Sequence, residues 1–353
     1  MAALRAFRST ILILAIAVAA AAAVCMLPEN VYQRWQLLGG TIHARSRWIY
    51  ERCHFDPTPI DVAFVGPSRT AAGVNAPRLS AELAARGLPS NVVNFSLPET
   101  GRNLNYAVVL QMLEEKHPRL IVIGVIEKPS RVGHPAFKYV APRQLVVDPG
   151  YFGDLNYFSD LLYLPYRQMR LFVADIAPSM MGLTKTFDPS RYSGHSLDTT
   201  GDIRLPDGSI KNGHEPASAA ELRRGVRKFE AGAHRPFLPA NLADVEFGDE
   251  RHYVRSIVDL AHANGARVAF LSIPYYSGPV SVQEARLYER FGPLWNAGYL
   301  AQHAEWYEDF GHLTRAGAEH LTDWVAGPVA TMLATRPARD GPPSPQAITS
   351  PAS

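Results

Sequence analysis

The chain has 353 residues, 47% hydrophobic and 19% charged, with a formal net charge of +2. That length holds one large α/β domain or two smaller ones, and the composition is ordinary for a globular protein. With no dense Lys/Arg run, the charge gives no footing for nucleic acid. The two cysteines, Cys25 inside an apolar stretch and Cys53 ahead of the first strand, exclude a Cys-x-x-Cys metal site. Two unpaired thiols are expected.

Arg5 and Arg8 precede an uncharged run from Ser9 to Leu27, closed by Pro28, Glu29 and Asn30. At 1.5 Å per residue the run covers about the ~30 Å of a hydrocarbon core. Positive charge before it places residues 1–8 in the cytoplasm and the bulk of the chain outside. The expected location is therefore the cytoplasmic (inner) membrane, crossed once by residues 9–27, with the domain facing the periplasm or cell exterior. Ala19 to Ala23 keep a cleaved signal peptide open as the alternative. Lipidation of Cys25 is not expected, because Ala23 and Val24 make a poor lipoprotein cleavage site.

Residues 28–58 read as a juxtamembrane connector, whose Trp35, Trp48 and Tyr50 suit either the headgroups or the domain surface. From 59 to 334 strand and helix signals alternate. Apolar runs at 62–66 and 119–126, and Asn91-Val-Val-Asn-Phe95 between them, predict strands, and 78–86 and 104–116 predict helices. Near-continuous apolar runs indicate strands buried on both faces, as in a parallel sheet. Residues 130–245, rich in Pro, Gly, Tyr and Arg, read as a long insertion over one end of the sheet, with helical pieces at 154–175 and 217–231. Regularity returns with a helix at 249–263, a strand at 267–273, a helix at 281–291, a strand-like stretch at 299–306 and a helix at 314–333. The Pro- and Ser-rich residues 335–353 predict a disordered tail. The expected fold is α/β, a three-layer αβα sandwich on a parallel sheet of about five strands.

Three segments carry candidate chemistry. Gly66-Pro67-Ser68-Arg69 follows the first strand and opens a helix, which puts a serine at the carboxyl edge of the sheet. The N–H groups of a first helical turn have no intrahelical partner and suit an oxyanion, though a plain N-cap serine fits the same position. Asn94 to Asn103 ends the second strand, and Gly101 there lets a backbone N–H approach a ligand. Asp309-Phe-Gly-His312 joins the last strand to the last helix, and a carboxylate three residues before an imidazole can fix its tautomer. Asp249/His252 and Asp259/His262 share that spacing, but inside a helix, where they read as neighbours on a solvated face. His134, His195 and His214 are scattered without ligand-like spacing, so neither a metal nor any other cofactor is expected.

The ordered set resembles the SGNH/GDSL hydrolase superfamily, with Ser68, Gly101, Asp309 and His312 in matching positions. The resemblance implies Ser68 as nucleophile, His312 as base, Asp309 as its orienter, and an oxyanion hole of the Ser68 and Gly101 N–H groups. Pro67 stands where the family often has Asp. Gly124-Val-Ile-Glu127-Lys128 lacks the Asn the family places after the third strand, and Asn103 is the candidate replacement donor. Arg69 and Glu127 are candidate substrate contacts, with pairing to Lys128 the plainer role for Glu127. The anchored layout looks like the membrane-tethered branch that modifies envelope polymers, such as the D-alanyl transfer and alginate acetylation proteins. It implies an esterase or O-acyltransferase using an acyl donor and a glycan acceptor, with a membrane acyltransferase as partner. The alternative is an inactive scaffold or carbohydrate-binding protein of an envelope polysaccharide assembly.

Overall fold

The structure, a computed structural model, describes residues 2–204, 210–232 and 237–335, so the tail beyond 335 lies outside it. Its strands are β1 (Val62–Val65), β2 (Val92–Asn94), β3 (Leu120–Val125), a hairpin β4 (Asp202–Arg204) and β5 (Ile210–Asn212), β6 (Arg267–Ser272) and β7 (Leu294–Asn296). The helices used below are α1 (Ala2–Cys25), α2 (Ser46–His54), α3 (Ser68–Gly73), α4 (Ala76–Ala85), α5 (Arg102–Leu113), α6 (Tyr157–Ile176), α7 (Ala219–Gly232), α8 (Gly248–Ala263) and α9 (Arg315–Ala334). Five strands form one all-parallel sheet in the order β2-β1-β3-β6-β7.

Alternation explains why these strands are apolar throughout. Ile121, Ile123 and Val125 of β3 join one core cluster with Val65, Phe270 and residues of α2, α5 and α8. Leu120 and Val122 face the other side, with Phe64, Leu271 and residues of α4 and α9. β1, β2, β3 and β6 therefore bury both faces, as their sequences predict. The helix ends are set locally. Asn75 accepts from Arg78 N at 2.9 Å to cap α4, Thr314 accepts from Gly317 N to cap α9, and Gly265 follows α8 at φ +75°.

Chain order reverses between β1 and β3, and open α/β sheets bind ligands at the carboxyl ends of strands beside such a switch point. α3 leaves β1 there and settles onto β3. A Cβ on Gly124 would stand 1.8 Å from Thr70 Oγ1, and one on Gly66 2.9 Å from Gly124 Cα. Both glycines are needed for this close approach.

Four expectations change. The fifth strand is β7, whereas 299–306 holds two 3-10 turns, Gly298–Gln302 and Ala304–Trp306. β7 is three half-buried residues on an edge, too short for an alternating pattern, although Gly292-Pro293 marks its start. The helix expected at 281–291 shrinks to Ala285–Tyr288. Residues 28–58 are no loose connector: Trp35, Trp48 and Ile49 belong to the core, and α2 packs on α5. Asp249 does not lie on a solvated face; it is fully buried and accepts the Arg102 N–H at 2.9 Å, capping the start of α5. Burial pushes its carboxyl up to about 8. The insertion holds α6, the β4–β5 hairpin and α7.

Candidate active site

Ser68 is the first residue of α3, and His312 comes from the turn before α9. The two meet across 244 positions of sequence, with His312 Nε2 2.8 Å from Ser68 Oγ. On the other edge of the ring, Nδ1 lies 2.9 Å from Asp309 Oδ2 and 3.0 Å from Oδ1. An ionised carboxylate only accepts, so Nδ1 carries the proton and Nε2 is left to accept from the serine hydroxyl. That tautomer is the one a serine nucleophile requires.

The 307–314 segment is built to hold this geometry. Asp309 Oδ1 also accepts the Gly311 and His312 N–H groups at 2.8 and 2.9 Å, so the carboxylate that orients the ring also closes its own turn. An antiparallel bridge between Tyr307 and Leu313 zips the base of the turn. Tyr276 N donates to Phe310 O at 2.8 Å, and the buried Tyr307 hydroxyl donates to Pro274 O at 3.0 Å. The turn is thus tied to the residues that follow β6.

Gly101 is the N-cap of α5 at φ +139°, and a Cβ there would stand 2.0 Å from His134 N. Only glycine fits. Pro67, Thr100, Gly101 and Ile126 line one crevice, which puts Gly101 on the same edge of the sheet as the turn before Ser68. Asn103 is corrected: its Oδ1 accepts from His134 N at 2.7 Å and its amide nitrogen faces Gly133, so the carboxamide clamps the 133–134 backbone.

Arg69 and Glu127 also change role. They form an ion pair with Nη1 2.5 Å from Oε2, and they are 9% and 6% exposed. Glu127 therefore serves Arg69 and not Lys128, and neither charge is free for substrate. The guanidinium stands over the rings of Phe229, from α7, and Tyr275, just beyond β6. A Cβ on Gly311 would lie 3.8 Å from Arg69 Nε, so the cation backs the Asp309–His312 turn. This aromatic box was missed in the sequence. Tyr275 had a signal, since it follows the carboxyl end of a central strand; Phe229 had none.

Two groups of possible metal ligands occur among the described residues, His43/Glu99/His134 and Glu308/Asp309/His312. The second shares its ring and carboxylate with the triad. In the first, His134 Nδ1 accepts from Ala136 N at 3.0 Å, so Nε2 carries the proton and donates to Pro98 O at 2.6 Å. Both nitrogens are engaged, and the ring reads as a clamp on the loop that leads to Gly101.

Burial, with neighbouring His43, lowers the His134 pKa to about 4. Between pH 6.5 and 4 the unfolded chain then binds a proton that the folded chain does not, so folding stability falls as pH falls across that window. At 1.36 kcal/mol per unit the loss is about 3 kcal/mol. In His134→Asn, chemical denaturation should show a stability deficit against the parent at pH 7 that shrinks by about that amount at pH 4. A deficit independent of pH would mean that the buried ring is protonated as readily as a free one.

No protein-family model matches the chain, and a search of curated proteins finds no match.

Proposed function

We propose that the chain is an SGNH-like serine esterase or O-acyltransferase acting on an exported or cell-envelope glycan. The observation that carries the reading is the continuous relay Ser68 Oγ, His312 Nε2, His312 Nδ1, Asp309 Oδ2, with links of 2.8 and 2.9 Å. It stands at the carboxyl edge of the sheet, beside the switch point.

As the Ser68 oxygen attacks an ester carbonyl, its proton passes to Nε2, and Asp309 stabilises the imidazolium. Negative charge develops on the former carbonyl oxygen, towards which the Ser68 and Gly101 N–H groups are the candidate donors. Collapse of the tetrahedral adduct breaks the ester C–O bond. The leaving alcohol takes the proton from Nε2, and the acyl group stays on Ser68. A water or a sugar hydroxyl then gives its proton to Nε2 and attacks the acyl carbonyl; the Ser68–acyl bond breaks, and the Ser68 oxygen takes the proton back from Nε2. Ala217, Glu221, Gly225 and Phe310 line an open groove beside Asp309. A glycan acceptor fits a domain held at a membrane surface by α1, since one helix over Phe7–Cys25 is long and apolar enough to cross a bilayer.

The test is turnover of an activated acetyl ester by the full-length protein in detergent, alone and with an oligosaccharide acceptor. Turnover that disappears in Ser68→Ala supports the reading, and product on the sugar identifies transfer. A second reading, a carbohydrate-binding scaffold without turnover, draws on the engagement of the Asn103 carboxamide by the 133–134 backbone, which leaves the oxyanion without the side-chain donor the sequence offered. Parent protein that gives no more turnover than Ser68→Ala or buffer alone would favour it.

A further inference from the structure

α6 is amphipathic, and among the described residues only one of its faces packs on the rest of the chain. Leu164, Arg167, Gln168 and Leu171 are buried against the domain. On the opposite side Phe158, Leu162, Tyr166, Met169 and Ile176 recur at intervals of three, four or seven residues, so they lie in one stripe along the helix, and Leu155 is exposed in the turn before it. Phe158, Leu162 and Ile176 are 72%, 80% and 69% exposed. A continuous apolar stripe of this kind on a domain surface marks a contact with another apolar phase.

Its position says which phase. α1 packs against α6 as it leaves its apolar span. Arg143 Nη1 donates to Cys25 O and Gln168 Nε2 donates to Leu27 O, each at 3.1 Å, and Cys25 packs on the cluster that contains Leu164 and Phe137. The span ends at Cys25, so those bonds fix the buried face of α6 to the point where the chain would leave the bilayer. Twenty residues of helix, about 30 Å long, then run beside that exit with aromatic and aliphatic side chains turned away from the domain. Phe and Tyr mixed with Leu, Met and Ile is the composition of a helix that lies in a membrane interface.

We infer that α6 is a monotopic membrane helix that beds the domain on the outer face of the bilayer next to its anchor, with lipid as the occupant of the stripe. The inference rests on α1 spanning the membrane, not on the esterase reading. It gives the domain two attachments to one surface, which holds the carboxyl edge of the sheet at a fixed height above the lipid.

The test uses the full-length chain in bilayer nanodiscs, with Cys25→Ser and Cys53→Ala as background. A single spin label is placed at Phe158→Cys, Leu162→Cys or Ile176→Cys, with Val18→Cys in the span and Ala81→Cys on α4, across the sheet, as references. Collision with oxygen, which partitions into lipid, is compared with collision with a water-soluble nickel complex. Stripe labels are expected to show an oxygen-to-nickel ratio several-fold above that of Ala81 and below that of Val18, which lies deeper in the bilayer. A ratio equal to that of Ala81 while Val18 reads as lipid would overturn the inference and leave the anchor standing. Protection from both reagents would overturn it in favour of a protein partner or a second copy. A Val18 label that reads as water would remove the anchor and this inference with it.

Discussion

Turnover of an activated acetyl ester is expected to fall about 10⁶-fold in His312→Ala and about 10⁴-fold in Asp309→Asn, the losses that follow removal of a base or of its orienting carboxylate from such a relay. The two substitutions separate different jobs. His312→Ala removes the one group, among the described residues, within hydrogen-bond distance of Ser68 Oγ that can take its proton. Asp309→Asn keeps an oxygen able to accept the Gly311 and His312 N–H groups, so the turn retains its closure. The carboxamide, however, presents an N–H towards Nδ1 or offers only a neutral acceptor, and the ring loses both the fixed tautomer and the counter-charge. Because both side chains are partly exposed, neither change should disturb folding, which circular dichroism checks. Turnover within tenfold of the parent in His312→Ala would mean that Ser68 is activated by some other group.

Arg69→Met is expected to cost about 3–5 kcal/mol in denaturant unfolding, because it leaves the Glu127 carboxylate buried without its partner. Arg69→Met/Glu127→Leu should recover most of that loss, since a pair of apolar residues of similar volume avoids the desolvation of both charges. Activity should not follow stability. The guanidinium sits on the residue next to Ser68, pairs with Glu127 beyond β3, contacts Tyr275 beyond β6 and backs the Asp309–His312 turn. It is a positioning residue for all four segments, so kcat should stay depressed in the double variant while KM moves little. A single variant as stable as the parent would mean that water reaches Glu127 and that the pair is not sealed.

The parts of the molecule that sequence made legible are those in which one segment carries its own signal. The runs at 62–66, 120–126 and 268–271 are apolar without interruption because their strands bury both faces, and that pattern needs no knowledge of neighbours. Ser68 and His312 were legible from their positions after the first strand and before the last helix. Features made by distant segments meeting were not. β7 has three residues on an edge and no pattern to read. The Arg69–Glu127 pair joins positions 58 apart, and the ring of Phe229 reaches it from an insertion whose path local propensity does not determine. Asp249/His252 and Asp309/His312 share one spacing, yet one carboxylate caps a distant helix and the other orients its own histidine. Spacing alone could not separate them; burial did.

The central claim, that the Ser68 hydroxyl is a nucleophile activated by His312, is tested most directly by incubating the full-length protein with a fluorophosphonate and mapping the adduct by peptide mass spectrometry. A single phosphonylated residue at Ser68, formed quickly in the parent and hardly at all in His312→Ala, is the expected result. No adduct, an adduct on another residue, or labelling of Ser68 at an unchanged rate without His312 would contradict it.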